Sequence, residues 1–99
     1  LYDEQRLMFF YLISYDIPDT KRRTKISNLL LGYGHRVQMS VFEVWLDTRG
    51  KRELLKQLKA ITKTEEDSVR LYHLCKLCQK RVEVIGLGQP PVAPGAIVI

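Results

Sequence analysis

The stretch Met8-Phe-Phe-Tyr-Leu-Ile-Ser-Tyr-Asp16 constrains this chain more than any other segment. It is short, almost continuously apolar, rich in aromatic and branched side chains, and stopped by Asp16-Ile-Pro-Asp19. Length, composition and the proline stop favour a strand over a helix. A strand that is apolar on both faces belongs in the middle of a sheet with something covering each side. With 99 residues there is room for one core, and a chain of this size buries only a modest share of its unfolded surface. A large cofactor domain beside a separate catalytic domain is therefore excluded. One face is left for a partner to cover.

The wider composition narrows the class. A hydrophobic content of 45% without low-complexity tracts excludes disorder. No apolar run approaches the roughly 20 residues of a membrane span, and no segment resembles a signal peptide. Two cysteines, Cys75 and Cys78, are too few for a secreted disulfide scaffold, so a reducing cytoplasm is expected. The net charge of +5 points to an acidic partner, nucleic acid first. Residues 1–7 fit neither neighbouring pattern and read as a leader ahead of Met8; without Asp3, Glu4 and Arg6 the charge becomes +6.

Beyond the first strand, Asp19 or Thr20 is a good N-cap for a helix. Ile26, Leu29, Leu30 and Tyr33 fall on one helical stripe, and Gly32 and Gly34 supply a stop. His35–Leu46 reads as a long second strand with a bulge or bend at Val41–Phe42, where the alternation changes phase. Asp47-Thr-Arg-Gly50 is turn-like, and Leu54, Leu55, Leu58 and Ile61 define a second amphipathic helix. Ser68–Leu74 alternates as a third strand and Arg81–Ile85 as a fourth. The predicted class is α+β: a ferredoxin-like βαββαβ domain over residues 8–86, with a four-stranded antiparallel sheet and two helices on one face. Residues 87–99 form a Pro/Gly-rich tail ending in Ala96-Ile-Val-Ile99, predicted to add a short strand to a sheet edge, that of a partner copy. An uncovered sheet face and an apolar tail together predict a homodimer.

Few residues carry chemistry. Asp16 ends an apolar central strand, where ligand-facing groups often sit, and Asp19 follows beyond Pro18. Magnesium takes hard oxygen donors and keeps several waters, so one or two carboxylates suffice to hold it; the plainer alternative is a turn residue and a helix cap. Lys21, Arg22, Arg23 and Lys25 crowd a helix start that the dipole makes unfavourable for cations, a cost that is tolerable if they face phosphates. Arg36, Arg49, Lys51, Arg52, Lys56, Lys59 and Lys63 enlarge the basic surface, or simply solvate it. Cys75-Lys-Leu-Cys78 has the spacing of half a zinc site, with His73 beside it, or of a thiol redox pair, although redox motifs usually open a helix and this pair follows a third strand; the plainer reading is two half-buried cysteines in a loop. His35 and His73 lack a partner at a telling spacing, and no triad or phosphate-cradling glycine loop is present.

These residues also carry a resemblance. Tyr15-Asp-Ile-Pro-Asp19, Arg23, Gly34-His-Arg-Val-Gln-Met-Ser-Val-Phe-Glu43, Val69-Arg-Leu-Tyr72, Leu74-Cys75 and Val82-Glu-Val-Ile-Gly86 resemble the small CRISPR-associated Cas-two proteins in order and spacing from Met8 to Gly86. The resemblance implies a ferredoxin-like homodimer that bridges two copies of an integrase partner, with protospacer DNA lying across it. It implies a magnesium-dependent nuclease acting on single-stranded RNA or double-stranded DNA, with Asp16 of each protomer at the metal. Arg23 and Arg36 take the places of the family's arginines, and Ser40, Val41 and Phe42 match its Ser-Val-Phe segment. The lack of a second strong carboxylate or paired base keeps a non-catalytic DNA-binding scaffold open as the alternative.

Overall fold

The computed structural model describes residues 7–91 and 97–98. The expectations for residues 1–6 and for most of the far tail lie outside these. The elements are β1 (Leu7–Asp16), α1 (Thr20–Leu31), β2 (Gly34–Gln38), β3 (Val41–Leu46), α2 (Thr48–Ile61), β4 (Ser68–Leu74), α3 (Lys76–Gln79) and β5 (Ile97–Val98). The antiparallel sheet runs β2-β3-β1-β4, with β1 central as its apolar run predicts. The class is α+β and the topology ferredoxin-like.

Two strand assignments are corrected. Residues 35–46 form a hairpin of two strands, not one bent strand: β2 and β3 pair antiparallel, with a register irregularity between Arg36 and Gln38 and a turn at Met39–Ser40. The phase change in the sequence comes from Val37 and Met39, which are exposed; Arg36 pairs with Phe42 and Gly34 with Val44, so the even-numbered residues share one face through the hairpin. Arg81–Ile85 is not a strand. Arg81 N–H donates to Cys78 O (3.0 Å) and Val82 N–H to Gln79 O (3.3 Å), so the backbone is still turning as the segment begins. Gly86, at φ +90°, then bends it, and residues 82–85 pair with no strand among the described residues. The elements as read from the sequence would run βαβαββ; splitting 35–46 into a hairpin and losing 81–85 gives the βαββαβ order of β1, α1, β2, β3, α2 and β4, and the four-residue α3 is an addition.

Side-chain alternation along β1 sorts the two faces. Tyr11, Ile13 and Tyr15 are buried against Phe42, Val44, Ile26, Leu30, Leu54 and Leu58, so both long helices cover one face. Tyr33 Oη donates to Gln57 Oε1 (3.0 Å) and ties α1 to α2. On the opposite face Phe10 is fully buried, its ring 4.9 Å from that of Trp45. Of the residues that the 3.6-residue spacing selects, Ile26, Leu30, Leu54 and Leu58 are buried and Leu29, Tyr33 and Ile61 pack against them, whereas Leu55 lies outside this core. β5 runs parallel to Leu7–Met8 of the same chain, at the end of β1 that extends past its partners on β3 and β4.

Candidate functional site

Strand β1 delivers Asp16 to its C-terminal end, opposite Ser68 of β4. Asp16 is exposed, and among the described residues its carboxylate has no hydrogen bond or ion pair. The loop behind it is fixed. Asp19 caps α1, its Oδ2 accepting from Arg22 N–H (2.9 Å), and that bond holds its carboxyl below the ordinary range. Arg23 donates from Nη1 to Ile17 O (2.9 Å) and Pro18 O (3.2 Å), and from Nη2 to Thr20 Oγ1 (3.1 Å). Arg23 is therefore a brace for the loop that presents Asp16.

Arg22 is also committed. Its guanidinium meets Asp67 through Nε–Oδ2 (2.8 Å) and Nη2–Oδ1 (3.0 Å), and Glu66 through Nη2–Oε2 (2.9 Å). The Asp67 hydrogen bonds, then Glu66, push Arg22 further above its ordinary pKa, and Arg22 in turn holds both carboxyls below theirs. A guanidinium answered by two carboxylates has less charge free for a phosphate than an unpaired one. Arg36 stacks over the Phe42 ring (5.3 Å) and donates to the Oγ of the buried Ser27 on α1. Lys21 and Lys25 remain exposed without a partner among the described residues. Phe42 is fully buried in the core, and Ser40 O accepts from Tyr15 N–H (3.1 Å) on the strand that carries Asp16.

Two features escaped the sequence. His35 does have a carboxylate partner: the hairpin sets it across from Glu43, with Nε2–Oε1 at 3.5 Å. Glu43 is buried, its Oε1 has no hydrogen bond, and burial raises its pKa against the opposing pull of His35. Both residues line a cleft of about 690 Å³ between the hairpin and residues 83–90. Reading 35–46 as a hairpin would have exposed this pair. His73 packs its ring on Phe9 (5.4 Å) and Tyr11 (5.1 Å), as an aromatic neighbour rather than a zinc ligand.

As a test of fit for magnesium, Asp16 is a hard, unengaged oxygen donor, the type the ion prefers. Among the described residues no group of three or more His, Cys, Asp or Glu is placed to hold a metal ion. Among the described residues Asp16 is thus a candidate metal ligand without a cluster around it. No described helix is long and apolar enough to cross a membrane.

The fold and site define a small ferredoxin-like protein with one free strand-end carboxylate beside a lysine-bearing helix start. Residues 8–82 match the family described as CRISPR associated protein Cas2, and the chain belongs to that family. It is 46% identical over 94 residues to CRISPR-associated endoribonuclease Cas2 3 of Synechocystis sp., covering 93% of this chain and 100% of that protein. It is 51% identical over 83 residues to CRISPR-associated endoribonuclease Cas2 1 of Chloroflexus aurantiacus, covering 83% and 89%. Among solved structures, a chain of a partial Cas6-RT-Cas1–Cas2 complex superposes with a TM-score of 0.71 at 43% identity, covering 78% of this chain and 90% of that one.

Proposed function

We propose that this protein is a homodimeric subunit of a CRISPR spacer-integration complex that binds protospacer DNA and carries magnesium-dependent endonuclease activity on single-stranded RNA or double-stranded DNA. The observation that carries this reading is the state of Asp16: an exposed carboxylate at the end of the central strand, unengaged while Asp19, Arg22 and Arg23 are spent on its loop. The names of the Synechocystis and Chloroflexus relatives support a nuclease, and the partial complex supports an integrase partner. Asp16 supplies one anionic ligand, and its counterpart in a second copy supplies the other. A bound magnesium ion there lends Lewis acidity to a phosphodiester and its attacking water. Lys21 and Lys25, with the exposed Arg49, Arg52, Lys56 and Lys59 of α2, meet phosphates.

Asp16→Asn keeps the shape and removes the charge. The variant, checked for dimerisation by light scattering, should lose magnesium-dependent cleavage of both substrates. Cleavage that survives the substitution overturns the assignment of Asp16. The scaffold reading is favoured by one observation, the lack of a multi-carboxylate cluster among the described residues. It requires that wild-type protein not cleave and that integration with the partner proceed unchanged in Asp16→Asn.

A further inference from the structure

The chain turns one tight corner that the nucleic-acid reading does not use. Cys75 stands at the start of α3 and Cys78 lies within its single turn. Gln79 N–H donates to Cys75 O (2.9 Å), and Gln79 Nε2 reaches back to Leu74 O (2.8 Å), so the corner is pinned at both ends. Two cysteines spaced this way around a helical turn share a side, the disposition that lets their sulfurs bond with little backbone movement. Both thiols are exposed, and Leu77 between them is 57% exposed, so small molecules reach them. Lys76, Lys80 and Arg81 are close to the pair in sequence, and the Arg81 charge acts on Cys78.

We propose that Cys75 and Cys78 form a reversible dithiol–disulfide pair that exchanges with small-molecule disulfides, Cys75 attacking first. The Cys75 thiolate attacks one sulfur of the disulfide, forming a mixed disulfide and expelling a thiolate that takes up a proton. Cys78 then loses its proton to solvent and attacks Cys75 Sγ, closing the internal bond and expelling the second thiolate. The protein gives up two electrons and two thiol hydrogens, and the small disulfide becomes two thiols. The asymmetry fits this order. The Cys78 backbone N–H and thiol hold Cys75 below the ordinary thiol range, while Cys75 holds Cys78 above it. Closure locks the corner from which the chain leaves β4 for residues 83–90, which line the cleft beside Glu43. Such pairs in a reducing compartment are transient or sensing rather than structural.

Native, full-length protein exposed to oxidised glutathione, quenched in acid and mapped by mass spectrometry tests this. The expected product lacks two hydrogens, links the Cys75 and Cys78 peptides, and reverts with dithiothreitol. Cys78→Ser should instead trap glutathione on Cys75. At pH 7 its remaining thiol should alkylate faster than that of Cys75→Ser. A persistent glutathione adduct on the wild type, a bond between copies, no reaction, or equal alkylation rates would overturn the proposal. The wild-type result stands regardless of how the variants fold.

Discussion

Arg22 and Asp67, 45 residues apart in sequence, are joined by two hydrogen bonds of 2.8 and 3.0 Å, with the Asp67 side chain wholly shielded from solvent. Asp67 Oδ2 also accepts from Lys63 N–H (2.8 Å). The start of α1 is thereby clamped to the turn that leads into β4. Arg22→Ala leaves this carboxylate without its cation, so the thermal midpoint should drop well below that of Glu66→Gln, which removes only an exposed arm of the cluster. Equal midpoints would refute the clamp.

The same clamp sets an acid limit. Arg22 is the first cause of the lowered pKa of both Asp67 and Glu66. A carboxyl lower in the folded than in the unfolded state stabilises the fold above its ordinary value, about 4. That stability is lost as pH falls through the folded value. Wild-type midpoints should therefore decline below about pH 4, with a shallower decline in Arg22→Ala, by calorimetry across an acid series. Parallel curves would contradict this.

Glu43 has the opposite sign. Burial raises its pKa, so its ionised form costs stability at neutral pH and the cost fades as acid protonates it. Glu43→Gln should raise the midpoint at pH 7, with the gain vanishing toward pH 4. A loss at pH 7 would mean the His35–Glu43 pair is a net stabiliser.

Gly34 begins β2 where a Cβ would overlap the Glu43 carbonyl and the Val44 backbone, neither of which yields easily. Gly34→Ala should cost about 1–3 kcal/mol in urea unfolding. A cost below a few tenths would show that the hairpin has slack.

Lys21 and Lys25 carry the exposed charge at the start of α1 that Arg22 does not. Lys21→Glu with Lys25→Glu should weaken duplex binding and flatten the dependence of log affinity on log salt by roughly 1.8, two phosphate contacts at about 0.9 each. Arg22→Ala, compared below its melting temperature, should leave that slope near the wild-type value. A matching loss in Arg22→Ala would return Arg22 to the phosphate-facing set.

The residues of β1, α1 and α2 reveal their places through spacing alone, because burial on one face imposes a period that a linear reading detects. Asp16 stands out for the same reason, as a charge ending an apolar run. The hairpin at 34–46 was hidden because Val37 and Met39, apolar yet exposed, imitate the inward face of a continuing strand. The strand expected at 81–85 failed because two alternating valines say nothing of the turn before them or the glycine after them.

What the sequence determined by itself is the central strand ending at Asp16, the two helical stripes and the capped loop between the first strand and helix, all consequences of local periodicity and capping. Only the tertiary structure decided which basic residues are free. Arg22, Arg23 and Arg36 look alike beside Lys21 and Lys25 on the chain, yet each is neutralised or anchored by a partner. An ion pair depends on where side chains meet in space, and the acids that claim Arg22 lie on a turn that reaches it only after the sheet has closed.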